Sequence, residues 1–106
     1  MSLKISGSGG PMRLNADKLK PVIDQIERRD RGLGQQMRSA VASVALNLCE
    51  GSGCRAGTRT QRYRDSLGSA EETRACVHVA QALGYVGAVD LDKLDRVIRT
   101  ITKLVK

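Results

Sequence analysis

Three polar residues interrupt the most apolar segment of this 106-residue chain. Ser43, Asn47 and Glu50 are spaced by four and three residues within SVALNLCEGSG, so a helix places them on one face. A serine, an amide and a carboxylate in a line could serve acid–base chemistry or metal binding. Alternatively, they could fix how one helix packs against another. The choice depends on the groups that other segments can bring to them.

Acid–base or metal chemistry would need partners from another segment. Glu72 is a second carboxylate that could join Glu50, but the only histidine, His78, follows Glu72 by six residues and makes no Glu-x-x-His metal motif. One histidine gives no basis for a Ser–His–Asp set, and the chain has no G-x-x-x-x-G-K-[ST] phosphate loop. The sequence therefore predicts no catalytic residue and a protein that is not an enzyme.

A structural role accounts for the same residues with fewer requirements. Glu50, at the end of a helix, can accept hydrogen bonds from backbone donors of the following turn, and Asn47 can fix the register of a neighbouring helix. Gly68 and Ser69, in the middle of a later helix, indicate close approach of another helix backbone, since glycine there costs about 1 kcal/mol relative to alanine. The predicted structural motif comprises Ser43, Asn47, Glu50, Gly51, Gly53, Gly68, Ser69 and Glu72.

The cysteines do not form an evident metal or disulfide set. Cys49, Cys54 and Cys76 are an odd number without a secretory context, so a disulfide framework is not expected. With His78 they offer a Cys3His zinc set, but no C-x2-C pair is present. Small thiols that fill the core are the alternative that we favour. We accordingly predict no metal and no cofactor.

The charge balance indicates an anionic partner. The formal net charge is +7, which in a small domain makes nucleic acid a candidate ligand. Tyr63 and Tyr85 are the only aromatic residues, which argues against single-strand recognition by stacked rings. We therefore expect phosphate contacts to dominate any binding.

Two arginine clusters could provide those contacts. The first lies at a glycine-rich turn that leads into a helix N-terminus, where backbone N–H groups and the helix dipole favour an anion. The alternatives are a solvated loop or salt bridges to Glu50 and Asp65. The second spans the connection between the first two helices, at the other end of the bundle and about 25 Å away. The two clusters are Arg55, Arg59, Arg62 and Arg64, and then Arg28, Arg29, Arg31 and Arg38.

Apolar residues recur with the helical period in four segments. The first begins at Asn15 or Asp17 and is predicted to stop at Gly32, with Pro21 either in its first turn or kinking a longer helix. The second covers about 34–50. The predicted inner positions of these two helices are Leu19, Val22, Ile23 and Ile26, and then Met37, Val41, Val44 and Leu48.

The third helix covers about 59–84 and ends at Gly84, and the fourth begins at Asp90 or Asp92. Strand signals are poor throughout the chain. Four amphipathic helices with short connections predict an all-α fold, an antiparallel up-and-down four-helix bundle. The predicted inner positions are Tyr63, Leu67, Ala70, Val77, Ala80 and Leu83, and then Leu91, Leu94, Val97 or Ile98, Ile101 and Val105.

The N-terminal segment differs in composition from the rest. Residues 1–12 are polar and glycine-rich, and we expect either a native flexible arm or a vector-derived remnant ahead of a bundle domain formed by residues 13–106. The segment has no apolar core of a signal peptide, and Lys or Arg interrupts every apolar run before it could span a bilayer. We therefore expect a cytoplasmic protein.

The second helix, its loop and the third helix resemble one known family. The segments QQMRSAVASVALNLCEGSG and RYRDSLGSAEETRACVHVAQALGYV contain the pattern S-x3-N-x2-E-G-x-G, then G-S-x2-E, then A-x2-LGY. Over about residues 33–86 this pattern is similar to the four-helix bundle proteins encoded in intervening sequences of bacterial 23S ribosomal RNA. The chain departs from the family at Tyr63, Arg64 and Asp65, where members carry a larger apolar or aromatic residue, and in a shorter first helix.

The resemblance implies a small up-and-down bundle without enzymatic activity. Members of the family assemble as rings of five, so a homopentamer is expected. Relatives include an accessory protein of diversity-generating retroelements that binds nucleic acid and a reverse transcriptase.

Together these inferences predict a non-catalytic, homo-oligomeric four-helix bundle that binds nucleic acid, RNA rather than DNA, through its arginine clusters. The alternative is a protein-interaction module that docks an enzyme such as a reverse transcriptase. No membrane partner is expected.

Overall fold

Four helices make up most of the chain. The computed structural model describes residues 2–4, 13–52 and 56–105, and the side chains of residues 18–48 and 57–105. The fold class is all-α, as predicted, although a short antiparallel ribbon that the sequence did not indicate precedes the helices and pairs Ser2 with Asn15. The elements are β1 (Ser2–Lys4), β2 (Arg13–Asn15), α1 (Ala16–Arg29), α2 (Arg31–Ser52), α3 (Ala56–Ala82) and α4 (Asp92–Val105).

The junction between α1 and α2 differs from the prediction. Gly32 does not stop α1 but lies in the first turn of α2, because Asp30 is the residue that separates the helices. The backbone N–H of Leu33 donates to Asp30 Oδ1 at 3.0 Å, which is the N-cap interaction that starts a helix. Pro21 lies inside α1, so the longer of the two alternative first helices is the observed one.

The ends of α2 and α3 show which glycine signals are strong. Gly51 was predicted to stop α2, but the helix continues through it to Ser52, since one glycine costs only about 1 kcal/mol within a helix. Gly53 lies outside the described residues. Gly84 does end α3: its φ is +76°, and the N–H of Tyr85 donates to the carbonyl of Ala80 at 2.8 Å. This pattern is a Schellman motif, which needs a residue in the left-handed region.

The four helices share one hydrophobic core, and most of the predicted inner positions are buried in it. Ile26, Met37, Val77 and Ile101 are fully buried, one from each helix. Val22, Leu67, Leu91 and Val105 are half-buried and pack against this core. Leu83 is the exception, with 56% of its surface exposed, and Leu46 on α2 is 59% exposed.

Helix α2 packs against α1 and α3, and α3 also packs against α4. The connection between α3 and α4 lies beside α1, because Gln25 Nε2 donates to the Tyr85 carbonyl at 3.1 Å and the Arg29 guanidinium lies 5.8 Å from the centre of the Tyr85 ring. Among the described residues, no helix combines the length and the apolar character that crossing a membrane requires.

Candidate nucleic-acid interface

A row of polar side chains joins α2 to α3. Asn47 is only 9% exposed, and its Nδ2 donates to the Ser43 carbonyl at 2.9 Å and to Ser43 Oγ at 3.1 Å. Ser69 Oγ then donates to Ser43 Oγ at 2.8 Å, across the two helices. The structure thus brings together Ser43, Asn47 and Ser69, three residues of the predicted structural motif. Their mutual hydrogen bonds satisfy polar groups that burial would otherwise penalise.

Two further residues belong to this polar contact and were missed in the sequence. Ser66 and Thr73 are fully buried; Ser66 Oγ donates to the Val44 carbonyl at 3.0 Å, and Thr73 Oγ1 donates to the Ser69 carbonyl at 2.9 Å. Ser66, Ser69 and Thr73 are spaced by three and four residues, the same helical pattern that singled out Ser43 and Asn47. That spacing was the signal that could have found them.

A shallow groove opens above the polar row. Its volume is about 700 Å³, and it lies between α2 and α3 with two arginines and two carboxylates at its walls. Glu72 is exposed at the groove, so it is not inside the bundle as predicted. The residues that line the groove are Ser43, Asn47, Arg62, Arg64, Asp65, Gly68, Ser69 and Glu72.

The first arginine cluster is only partly brought together at this groove. Arg62 is half-buried, and its Nη1 donates to Asn47 Oδ1 at 3.4 Å, so it connects the groove to the polar row. Arg64 is exposed on the groove wall, and Arg59 is exposed near the start of α3. Arg55 and the side chain of Glu50 lie outside the described residues. The first turn of α3 contains no acid, so no side chain there offsets its positive end.

The second arginine cluster is partly used within the chain. Arg38 pairs with Glu27 and, at 3.1 Å, with Asp24. Lys20, 3.0 Å from Asp24, and then Arg38 lower the pKa of the Asp24 carboxyl from its ordinary value of 3.8. Glu27 and then Asp24 raise the pKa of the Arg38 guanidinium.

The other three arginines of the second cluster are exposed, and Arg29 lies over the Tyr85 ring. Arg28 and Arg31 flank the α1–α2 junction. The 22 residues of α2, about 33 Å, separate this junction from the start of the α2–α3 loop. The two clusters therefore do not form one patch within a chain.

The glycine in the middle of α3 does not have the predicted neighbour. A Cβ atom at Gly68 would have no atom within 4 Å, so the prediction of a close helix backbone at this residue is wrong within the chain. The close approach is instead at Gly34 of α2, where a Cβ would come within 2.8 Å of the Glu27 backbone. α1, not α3, is the helix that passes close to α2 at a glycine.

The described residues offer no basis for metal chemistry, since they include no group of three or more metal-ligating side chains. Cys76 is buried, and burial together with the nearby charge of Glu72 raises the pKa of its thiol. This thiol fills space in the core. Cys54 and the side chain of Cys49 lie outside the described residues.

Comparisons with known proteins agree on one family. The sequence model for 23S rRNA-intervening sequence proteins matches residues 12–106, which include every helix of the structure. No curated protein matches the chain, and no solved structure matches it.

Proposed function

This chain belongs to the 23S rRNA-intervening sequence protein family, and from that premise we propose that it is a cytoplasmic, non-catalytic, homo-oligomeric bundle that binds nucleic acid through arginines. RNA is favoured over DNA because the family is named for a segment of ribosomal RNA.

The observation that carries this proposal is the position of Arg59, Arg62 and Arg64. They lie in the first third of α3, near its N-terminal end, where no acid stands in the first turn. Guanidinium groups and free backbone N–H groups both bind phosphate. Cations at a helix N-terminus disfavour the helix by a few tenths of a kcal/mol each, so a bound anion gives them a reason to be there.

The test is the salt dependence of RNA binding. We expect the triple variant R55Q/R59Q/R64Q to bind a 20-nucleotide RNA more weakly and to lower the slope of log affinity against log salt by about 2, since each lost phosphate contact removes about 0.7. Arg62 is kept because it bonds to Asn47. The matched control K18Q/K20Q/K93Q loses the same charge from residues outside both arginine clusters. Equal slopes for the two triple variants would contradict the site.

An antiparallel up-and-down arrangement of the helices is part of the proposal. It is supported by the hydrogen bonds between α2 and α3, in which Arg62 meets Asn47, Ser66 meets Val44 and Ser69 meets Ser43. The partner number falls along α2 as the number rises along α3, which is the order that antiparallel neighbours give.

Self-association, as a homopentamer, is also proposed. Its support is the exposed apolar surface: Leu46, Val79 and Leu83 are 59%, 46% and 56% exposed on α2 and α3. Exposed apolar side chains at neighbouring helical positions, as at Val79 and Leu83, mark protein contacts more often than isolated ones do. In such an oligomer the two arginine clusters of neighbouring subunits could act together.

The same apolar residues favour the second candidate function, a module that docks an enzyme such as a reverse transcriptase. Purification of the tagged chain from nuclease-treated lysate separates the two. A reverse transcriptase that remains bound without nucleic acid supports docking, and its loss on nuclease treatment supports binding through nucleic acid.

A further inference from the structure

Helix α4 has one apolar face and one cationic face. Leu94, Val97 and Ile101 are at most 2% exposed and pack into the core. The opposite face carries Arg96, Arg99 and Lys103, which are all exposed and spaced by three and four residues. These three residues are called the α4 face below.

Acidic residues are absent from this part of the sequence. Residues 96–106 contain four cations and no Asp or Glu. The nearest acid along the helix, Asp95, lies 3.3 Å from Arg74 on α3 and so is already paired. Within the described residues, no side chain forms an ion pair with Arg96, Arg99 or Lys103. The positive charge of the α4 face is therefore not neutralised within this part of the chain.

Several other basic residues of the described chain are engaged. Lys20 and Arg38 share the carboxylates of α1, Arg62 bonds to Asn47 and Arg74 pairs with Asp95. The α4 face differs from these in presenting three charges in a line with no internal partner. That arrangement is suited to an external polyanion.

The spacing of the α4 face fits a nucleic-acid backbone. The three residues span seven positions, or about 10 Å along the helix axis at about 1.5 Å per residue. A strand of duplex nucleic acid advances about 3.4 Å per phosphate, so this length covers about three phosphates. Three cations over three phosphates is the match expected of a surface that follows a backbone.

Two alternatives explain less. Cations in the last turn of a helix are stabilised by its dipole, but Arg96 lies nine residues, about 13 Å, before the end of α4 at Val105. A basic amphipathic helix can also lie on a membrane, but only with its apolar face free to enter the lipid. Here that face is buried in the core.

The α4 face also lies at the end of the bundle where the arginines of α3 begin. The α3–α4 connection contacts Gln25 and Arg29 in the C-terminal half of α1, whereas β2, which leads into the start of α1, contacts α4. In the antiparallel arrangement proposed above, Lys103 therefore lies at the same end as Arg59. One nucleic-acid strand could contact both.

We infer that the α4 face is a second phosphate-binding surface of this chain, which holds the backbone of a nucleic acid without sequence preference; the inference rests on the proposed nucleic-acid function. It adds a surface on α4 to the arginines at the start of α3.

The test compares variants of the full chain on a 20-nucleotide RNA of mixed sequence. R96Q/R99Q/K103Q is expected to lower the slope of log affinity against log salt by about 2. The variant R96K/R99K/K103R keeps the charge and should keep the slope. K18Q/K20Q/K93Q loses the same net charge elsewhere and should change the slope less. Unchanged helical circular dichroism shows that each variant is folded.

The outcomes separate the two proposals. If the wild-type chain binds and R55Q/R59Q/R64Q lowers the slope, but R96Q/R99Q/K103Q behaves like the lysine control, this inference is overturned and the proposed function stands. If the wild-type chain does not bind RNA at all, both are overturned. Binding to phosphatidylserine vesicles that depends on the α4 face, without RNA binding, would likewise overturn it in favour of a membrane surface.

Discussion

Gly34 lies where α1 and α2 come closest together. A Cβ atom added there would come within 2.8 Å of the backbone N and Cα of Glu27, and it would also meet Glu27 Cγ. Backbone atoms cannot move away as a flexible side chain can, so the helices would have to separate. Gly32, two residues earlier, has only Asp30 Oδ1 nearby, at the ordinary contact distance of 3.7 Å.

We predict that G34A lowers the free energy of unfolding by about 1–3 kcal/mol, because of overpacking against backbone. The matched variant G32A should instead raise it by up to about 1 kcal/mol, because alanine restricts the unfolded chain. Urea denaturation of both variants measures the two values. Equal stability of the two variants would show that α1 and α2 do not approach at Gly34.

Asp24 links stability to pH through its two cationic neighbours. Its pKa in the folded protein is below 3.8, chiefly because of Lys20 and then Arg38. The carboxylate therefore stabilises the fold above about pH 4, and this contribution is lost as the pH falls from 3.8 through the folded-state pKa.

We predict that D24N is less stable than wild type at pH 7 and that the difference disappears at a pH below the folded-state pKa, where Asp24 is neutral in both states. The side chains are exposed, so the difference should be small and should shrink in 1 M salt. Urea denaturation of both proteins over this pH range provides the measurement. A difference that stays constant into acid would mean that the carboxylate charge is not its source.

Single residues also set the limits of what the sequence could predict. Ser43 and Asn47 were identified because their polarity contradicts the apolar helix around them, and the structure gives both a partner. The pairing of Arg38 with Asp24 could not be predicted, because it joins residues 14 positions apart on two helices. Such a pair depends on how the helices cross, which local periodicity does not encode.

At the scale of elements, side-chain caps were stronger signals than glycines. Asp30 separates α1 from α2 because its carboxylate accepts the N–H of Leu33, whereas Gly32 and Gly51 continue a helix. Glycine stopped a helix only at Gly84, where the backbone has positive φ. Whether a glycine adopts that conformation depends on its neighbours, so composition alone predicted the number of helices better than their ends.

We predict that D30A lowers the free energy of unfolding by about 1 kcal/mol, since an unpartnered N–H at the start of α2 replaces the cap. D30S keeps an oxygen acceptor at this position and should restore most of the loss. Thermal and urea denaturation of the two variants give the comparison. If D30S were as destabilised as D30A, the capping bond would not be what fixes the junction.

At the scale of the whole molecule, the four apolar stripes were sufficient to predict an all-α fold with one core. They could not predict which outer surfaces remain for partners, because the same apolar residue type serves both. Leu83 was expected in the core on its spacing but is 56% exposed, one turn after the exposed Val79. The helical pattern continues past the point where the core ends.

We predict that V79E/L83E changes the stability of the single chain by less than about 0.5 kcal/mol each, because both sites are exposed, but shifts the protein towards the monomer. Light scattering after size exclusion should give a mass near five times 11.5 kDa for wild type and near 11.5 kDa for the variant. A88E, which adds a charge at an exposed position in the α3–α4 connection, is the control. A wild-type mass of one chain would refute self-association.

The buried thiol of Cys76 makes local opening of the bundle measurable by chemistry. A thiol reagent can reach it only when α3 moves away from the core, and its raised pKa slows the reaction further. In a chain with Cys49 and Cys54 replaced by alanine, the labelling rate would report the population of that open state. A ligand that bridges α3 and α4 would close this route, so the same thiol would record binding without any added probe.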